Sequence, residues 1–154
     1  MRPNIALSDS QLDGGVSVLN TLLSDEYVLY TKTRNYHWNV FGPQFNELHK
    51  FFGSQYAELD EIVDKVAERA RSLGGSAFGT LTEFLEHTRL KEQPAENPDA
   101  RRMLSNLLAN HETLIRELRK DVATEGANNF LMGLMERHEK MAWMLRAFLE
   151  GEHV

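Results

Sequence analysis

The chain contains no cysteine. Disulfides, thiolate metal sites and cysteine nucleophiles are excluded, so any bound metal must be held by histidine, aspartate and glutamate, a donor set that suits hard or borderline metals such as iron. Long apolar runs are also missing. No stretch approaches the roughly 18 consecutive apolar residues of a membrane span, and Met1-Arg2-Pro3-Asn4-Ile5-Ala6-Leu7 lacks the apolar segment of a signal peptide. The expected location is therefore the cytoplasm. Basic charge is scarce: 17 Lys and Arg stand against 23 Asp and Glu, giving a formal charge of −6. Arg2 is the sole basic residue before the first expected helix, which disfavours DNA binding through the N-terminus, since phosphate recognition needs clustered Lys or Arg. An acidic shell attracts cations instead. No internal repeat or low-complexity segment is present, and 154 residues with 42% hydrophobic and 26% charged content fit one domain spanning 1–154.

What is present is helical patterning. Ser8-Asp9-Ser10-Gln11 matches a capping box, and Leu12, Val16, Leu19, Leu23 and Tyr30 support one helix to about Trp38, weakened early by Gly14-Gly15. Gly42-Pro43 opens a second helix to about Leu73, with Pro43 expected in its first turn. Its apolar positions are Phe45, Leu48, Phe52, Leu59, Ile62, Val63, Val66, Ala70 and Leu73. The segment from Gly74 to Pro98 is too long for a hairpin turn and suits a crossover along a bundle, with a second capping box, Thr80-Leu81-Thr82-Glu83, starting a short helix over Leu81 to Glu86. Asn97-Pro98-Asp99 caps a third long helix whose seam is Leu104, Leu107, His111, Leu114, Leu118 and Val122. After a break at Glu125-Gly126-Ala127-Asn128, a fourth follows with Leu131, Leu134, His138, Met141, Leu145 and Phe148 inward. Two hairpins joined by one long crossover is the all-α, ferritin-like four-helix-bundle connectivity, here with a short extra helix between the second and third long helices.

The chemistry-bearing pattern centres on Asn35-Tyr36-His37-Trp38-Asn39-Val40. A turn at Asn39 to Gly42 folds the first helix against the second and sets His37 beside His49, while Asp64 and Glu68 share the polar stripe of the second helix with His49. The fifteen residues from His49 to Asp64 span roughly 22 Å of helix, beyond the reach of two side chains. One chain thus offers two half-sites, a histidine pair and a carboxylate pair, and an isologous two-fold contact would join the histidines of one subunit to the carboxylates of the other, twice.

These residues resemble the Dps family, the dodecameric miniferritins that oxidise iron(II) and shield DNA during starvation. The resemblance rests on His37-Trp38-Asn39-Val40, on His49 twelve residues later, and on Asp64 and Glu68 in Asp-x-x-x-Glu spacing. It continues through Val66-Ala67-Glu68-Arg69, Leu73-Gly74-Gly75 and His138-Glu139-Lys140-Met141-Ala142-Trp143, covering nearly the whole chain. It implies a ferroxidase in which His37, His49, Asp64 and Glu68 are catalytic metal ligands shared across a two-fold interface. Iron(II) would be oxidised by hydrogen peroxide more readily than by dioxygen, stored as ferric mineral in a homo-oligomer of twelve, with zinc able to substitute in the site. Trp38, beside a ligand, would intercept oxidising radicals. Gly53 departs from the family, which usually has Asp or Glu four residues after the second histidine. The departure implies a weakened second metal position, and a carboxylate installed at 53 is expected to strengthen it.

Competing readings narrow the site. His111 and His138 lie on apolar seams and read as hydrogen-bonded core histidines, because Glu112 and Glu139 point roughly 100° off the histidine face. A centre inside one bundle needs Glu-x-x-His on two helices, and the one such spacing, Glu150 to His153, lies past Gly151 at the terminus. The methionines and Trp143 of the last helix read as core. The rivals to a ferroxidase are a metal-binding cage with weak or no turnover, favoured by Gly53, and a DNA-compacting protein.

Overall fold

In the computed structural model, which describes residues 1–124 and 128–151, both capping boxes form. Ser8 accepts from the Gln11 N–H at 3.1 Å while Gln11 returns its Oε1 to the Ser8 N–H at 2.9 Å, so α1 (Asp9–Asn39) starts where the side chains satisfy its orphan donors. The helices that follow are α2 (Phe45–Ser72), α3 (Leu81–His87), α4 (Ala100–Thr124) and α5 (Asn128–Leu149), and no strand occurs among the described residues. The third long helix is capped as expected, by Asp99 Oδ1 accepting from the Arg102 N–H at 2.8 Å. Of the expected break at Glu125-Gly126-Ala127-Asn128, the first three residues fall outside the described residues, and Asn128 is already the first residue of α5 rather than part of a break.

Pro43 is not part of α2. Gly42 adopts φ +109°, a conformation that favours glycine, and its carbonyl accepts from the Phe45 N–H at 3.1 Å. Pro43 is spent on this tight turn, and the helix begins two residues later with Gln44 as an N-cap whose side chain does not accept from the first-turn backbone. The reversal lays α2 along α1, α5 packs along α4, and α1 also touches α3 and α4.

The core follows the seams. Leu12, Leu19, Leu23, Leu48, Phe52, Leu59, Ile62, Val66, Leu104, Leu107, Leu114, Leu118, Leu131 and Leu145 are buried almost completely. Two apolar expectations fail. Phe45 is 46% exposed, because it opens α2 and its ring lies over His49 instead of entering the core. Trp143 is 59% exposed, with Met132 and Met144 also exposed, because α5 buries Met135 and Met141 instead and turns Trp143 to a face that the bundle does not cover.

The crossover is tied down by charge. Asp25, 1% exposed, accepts from the Thr88 hydroxyl at 2.9 Å, the Arg89 N–H at 2.6 Å and the Arg89 guanidinium at 2.7 Å. Arg89 also reaches Glu117 of α4 at 3.1 Å, so one guanidinium joins α1, the crossover and α4. Lys32 Nζ donates to the Lys91 carbonyl at 2.7 Å. No helix among the described residues is long and apolar enough to cross a membrane.

Candidate metal centre

The α1–α2 hairpin brings His37 and His49 together by a reciprocal lock. His37 Nδ1 lies 2.5 Å from the His49 carbonyl, and His49 Nδ1 lies 2.8 Å from the His37 carbonyl. A carbonyl only accepts, so both rings donate from Nδ1, and in the neutral imidazole that leaves Nε2 as the free lone-pair donor. The rings stack with centroids 3.9 Å apart and 16° between planes. Phe45 continues the stack on His49 at 5.2 Å, and Tyr56 meets His37 edge-on at 5.1 Å. This is the arrangement that metal-binding imidazoles use, with the remote nitrogen fixed by a second hydrogen bond that sets tautomer and direction.

Asp64 and Glu68 are not in that cluster. They lie one turn apart on the unbroken α2, exposed, and line a shallow groove with Ala57, Asp60, Glu61 and Lys65. Glu61 is committed elsewhere: Lys65, at 2.8 Å, first by its hydrogen bond and then by its charge, holds the Glu61 carboxyl below its usual range, and Arg137 approaches at 3.5 Å. Among the described residues neither Asp64 nor Glu68 has an ion-pair partner, and no three His, Asp or Glu side chains within the chain converge on a point that could hold a metal. The histidine pair and the carboxylate pair therefore remain apart in one subunit.

Gly53 sits under the histidines. A Cβ built there would lie 3.1 Å from His37 Cε1 and 3.2 Å from His37 Nδ1, so the imidazole occupies the space that a side chain at 53 would need. This contact adds a cost to the expectation that an acid at 53 strengthens the site: any side chain there must first push His37 aside by a few tenths of an ångström.

The Ferritin-like domain family matches residues 16–152. Solved structures superpose closely: DpsC from Streptomyces coelicolor gives a TM-score of 0.94 at 28% identity, covering 100% of this chain and 93% of that one. Among relatives, DNA protection during starvation protein 2 of Bacillus anthracis is 37% identical, covering 87% of this chain and 95% of its own length. The chain belongs to the Dps family. An uncharacterized low temperature-induced protein of a Nostoc species is also similar, at 45% identity over 99% of this chain and 89% of its own length. A Dps protein from Vibrio cholerae, described as a member of a broad superfamily of ferritin-like diiron-carboxylate proteins, gives a TM-score of 0.89 at 29% identity, with 97% of each chain covered.

Within this Dps chain the remaining candidates sort clearly. His111 and His138 are buried and hydrogen-bonded to each other, and Glu112 and Glu139 turn away to Arg146 and Arg119 at 3.2 Å and 2.8 Å. The Glu150–His153 spacing reaches beyond the described residues at His153. Trp38 is 61% exposed beside the histidine pair, with the Arg34 guanidinium 4.6 Å above its ring. Sequence reading missed Glu26, whose signal was an acid on the apolar seam between Leu23 and Tyr30. It also missed Tyr56, which no spacing rule marks.

Proposed function

We propose that this chain oxidises iron(II) and stores the ferric product inside a homo-oligomeric Dps cage, by family analogy of twelve subunits. The observation that carries the reading is the reciprocal His37–His49 lock, which prepares two Nε2 donors that the fold itself does not use, opposite in chemistry to the unpaired Asp64 and Glu68 carboxylates on the same helix. An isologous contact joins the two kinds of half-site, and each dimer then carries two centres.

In this account iron(II) is the substrate. The bare Nε2 atoms and the carboxylates of the partner supply mixed nitrogen and oxygen ligation, and the carboxylates offset the cationic charge. Two iron(II) ions give one electron each to hydrogen peroxide, which takes up two protons and leaves as two waters. The carbonyl-bound Nδ1 protons keep both imidazoles in one tautomer throughout. Zinc fits the same donors without redox chemistry and acts as a competitor. Gly53 withholds an anionic ligand, which favours a second reading in which the cage binds metal but turns it over slowly or not at all. The acidic balance and the engagement of Arg2 by Asp13 at 2.8 Å run against a DNA-compacting role through the N-terminus.

The test is ferric absorbance after iron(II) addition with peroxide and, separately, with dioxygen. Fast oxidation with peroxide, blocked by prior zinc, is expected. Zinc binding by calorimetry without oxidation above the buffer rate selects the non-catalytic cage.

A further inference from the structure

The bundle interior holds polar groups that the metal centre does not use. Glu26 of α1, His111 of α4 and His138 of α5 are fully buried, and Gln55 of α2 is 2% exposed. Three of them form a chain: Glu26 Oε1 lies 2.5 Å from His138 Nε2, and His138 Nδ1 lies 2.9 Å from His111 Nδ1. Glu26 Oε2, His111 Nε2 and Gln55 Oε1 have no hydrogen-bond partner within the protein.

Hydrogen-bond chemistry fixes how many protons this chain can carry. One hydrogen fits between Oε1 and Nε2, and one between the facing Nδ1 atoms. With those two alone, Glu26 is a carboxylate beside two neutral imidazoles and the interior holds a net charge of −1. A third proton is accommodated when His111 carries its hydrogen on Nε2 and accepts at Nδ1, which makes the chain neutral overall.

The surroundings decide between these states. Asp25 is neutralised by Arg89, Lys32 is turned to the Lys91 carbonyl, and Arg137, next to His138, faces outward to Glu58 at 3.1 Å and Glu61 at 3.5 Å. From α2 the buried polar group is the uncharged Gln55. Among the described residues no Lys or Arg pairs with Glu26, and an uncompensated buried carboxylate is strongly disfavoured. Burial, and then the charge on His138, pushes His111 well below its ordinary value, so His111 itself stays neutral when a third proton is bound.

We propose that Glu26, His138 and His111 form a proton-binding site in the bundle interior, which at neutral pH holds one proton beyond the carboxylate and two neutral imidazoles, and whose release at alkaline pH weakens the fold. Above pH about 6.5 an unfolded chain leaves its histidines neutral and its glutamates ionised. Folding then takes up one proton per chain, and the folding constant falls about tenfold per pH unit until the site empties.

Magic-angle-spinning NMR of the assembled protein with ¹⁵N-labelled histidine reads the proton count directly. His111, identified by the signal lost in His111→Gln, is expected to be protonated at Nε2 at pH 7.5, and Glu26→Gln, which removes the charge, is expected to move that proton to Nδ1. A wild-type His111 protonated at Nδ1 overturns the proposal, and this result stands even if Glu26→Gln fails to assemble. An unchanged tautomer in an assembled Glu26→Gln overturns it as well. So does a stoichiometric divalent ion that survives chelator treatment and is lost in His111→Gln, which would make the pair a metal site.

Discussion

Replacing Gly53 separates two effects that a single acidic substitution would mix. Gly53→Ala removes a helix-interior glycine, worth about 1 kcal/mol in propensity. Against this, the new Cβ stands 3.1 Å from His37 Cε1, so the ring must move, and the lost or bent Nδ1–carbonyl bond to His49 costs about 1 kcal/mol. The two nearly cancel, and the metal-free protein should keep its melting temperature within a few degrees. Metal affinity should not cancel: a displaced Nε2 is a misplaced ligand, and Gly53→Ala should bind zinc about tenfold more weakly by calorimetry, in the range that disturbed outer-shell support causes. Gly53→Asp carries the same steric cost plus a carboxylate, so its affinity and oxidation rate relative to Gly53→Ala, not to wild type, report what an acid contributes. The expected order is Asp above Ala. If Gly53→Ala is stabilised by the full propensity gain and binds zinc like wild type, His37 does not fill that space and the reasoning fails.

Three further substitutions probe separate links. His49→Ala should abolish zinc binding at the interface while far-ultraviolet circular dichroism stays helical, since the residue is half-buried and its loss costs one hydrogen bond and a ring stack. Arg89→Met leaves the buried Asp25 without its cation and should lower unfolding free energy by about 3 kcal/mol, read as a shift in denaturant midpoint. His111 stays neutral in the folded chain, first through burial and then through the charge of His138, whereas the unfolded chain protonates it below pH about 6.5. The contribution of His111 is therefore intact above that pH and is lost as pH falls below it, which gives an acid limb separate from the alkaline one, and His111→Gln should flatten this acid limb of the melting temperature.

The helices were legible because their signals are local. Ser8-x-x-Gln11 and Thr80-x-x-Glu83 each satisfy backbone donors within one turn, and both helices start where those residues stand. The pairing of His37 with His49 was legible because one short turn leaves few ways to fold α1 on α2. Pro43 was misread because a proline before a helix serves a first turn or a tight turn equally well, and the Gly42–Phe45 bond decided for the latter. Trp143 was misread because a wide amphipathic stripe does not say which of its edges the other helices cover. The Gly53–His37 contact depends on side-chain direction across two helices, and the Glu26–His138–His111 chain on three, which periodicity within one helix does not encode.

The central claim is that each centre takes its histidines from one subunit and its carboxylates from another. Co-refolding His49→Ala with Asp64→Asn in equal amounts tests it most directly. Each variant alone should be inactive, while random pairing makes half of the two-fold contacts mixed, each with one intact centre of two, so the mixture should recover about a quarter of wild-type iron(II) oxidation. No recovery above the separate variants, in a mixture shown by mass spectrometry to have co-assembled, would contradict the shared centre.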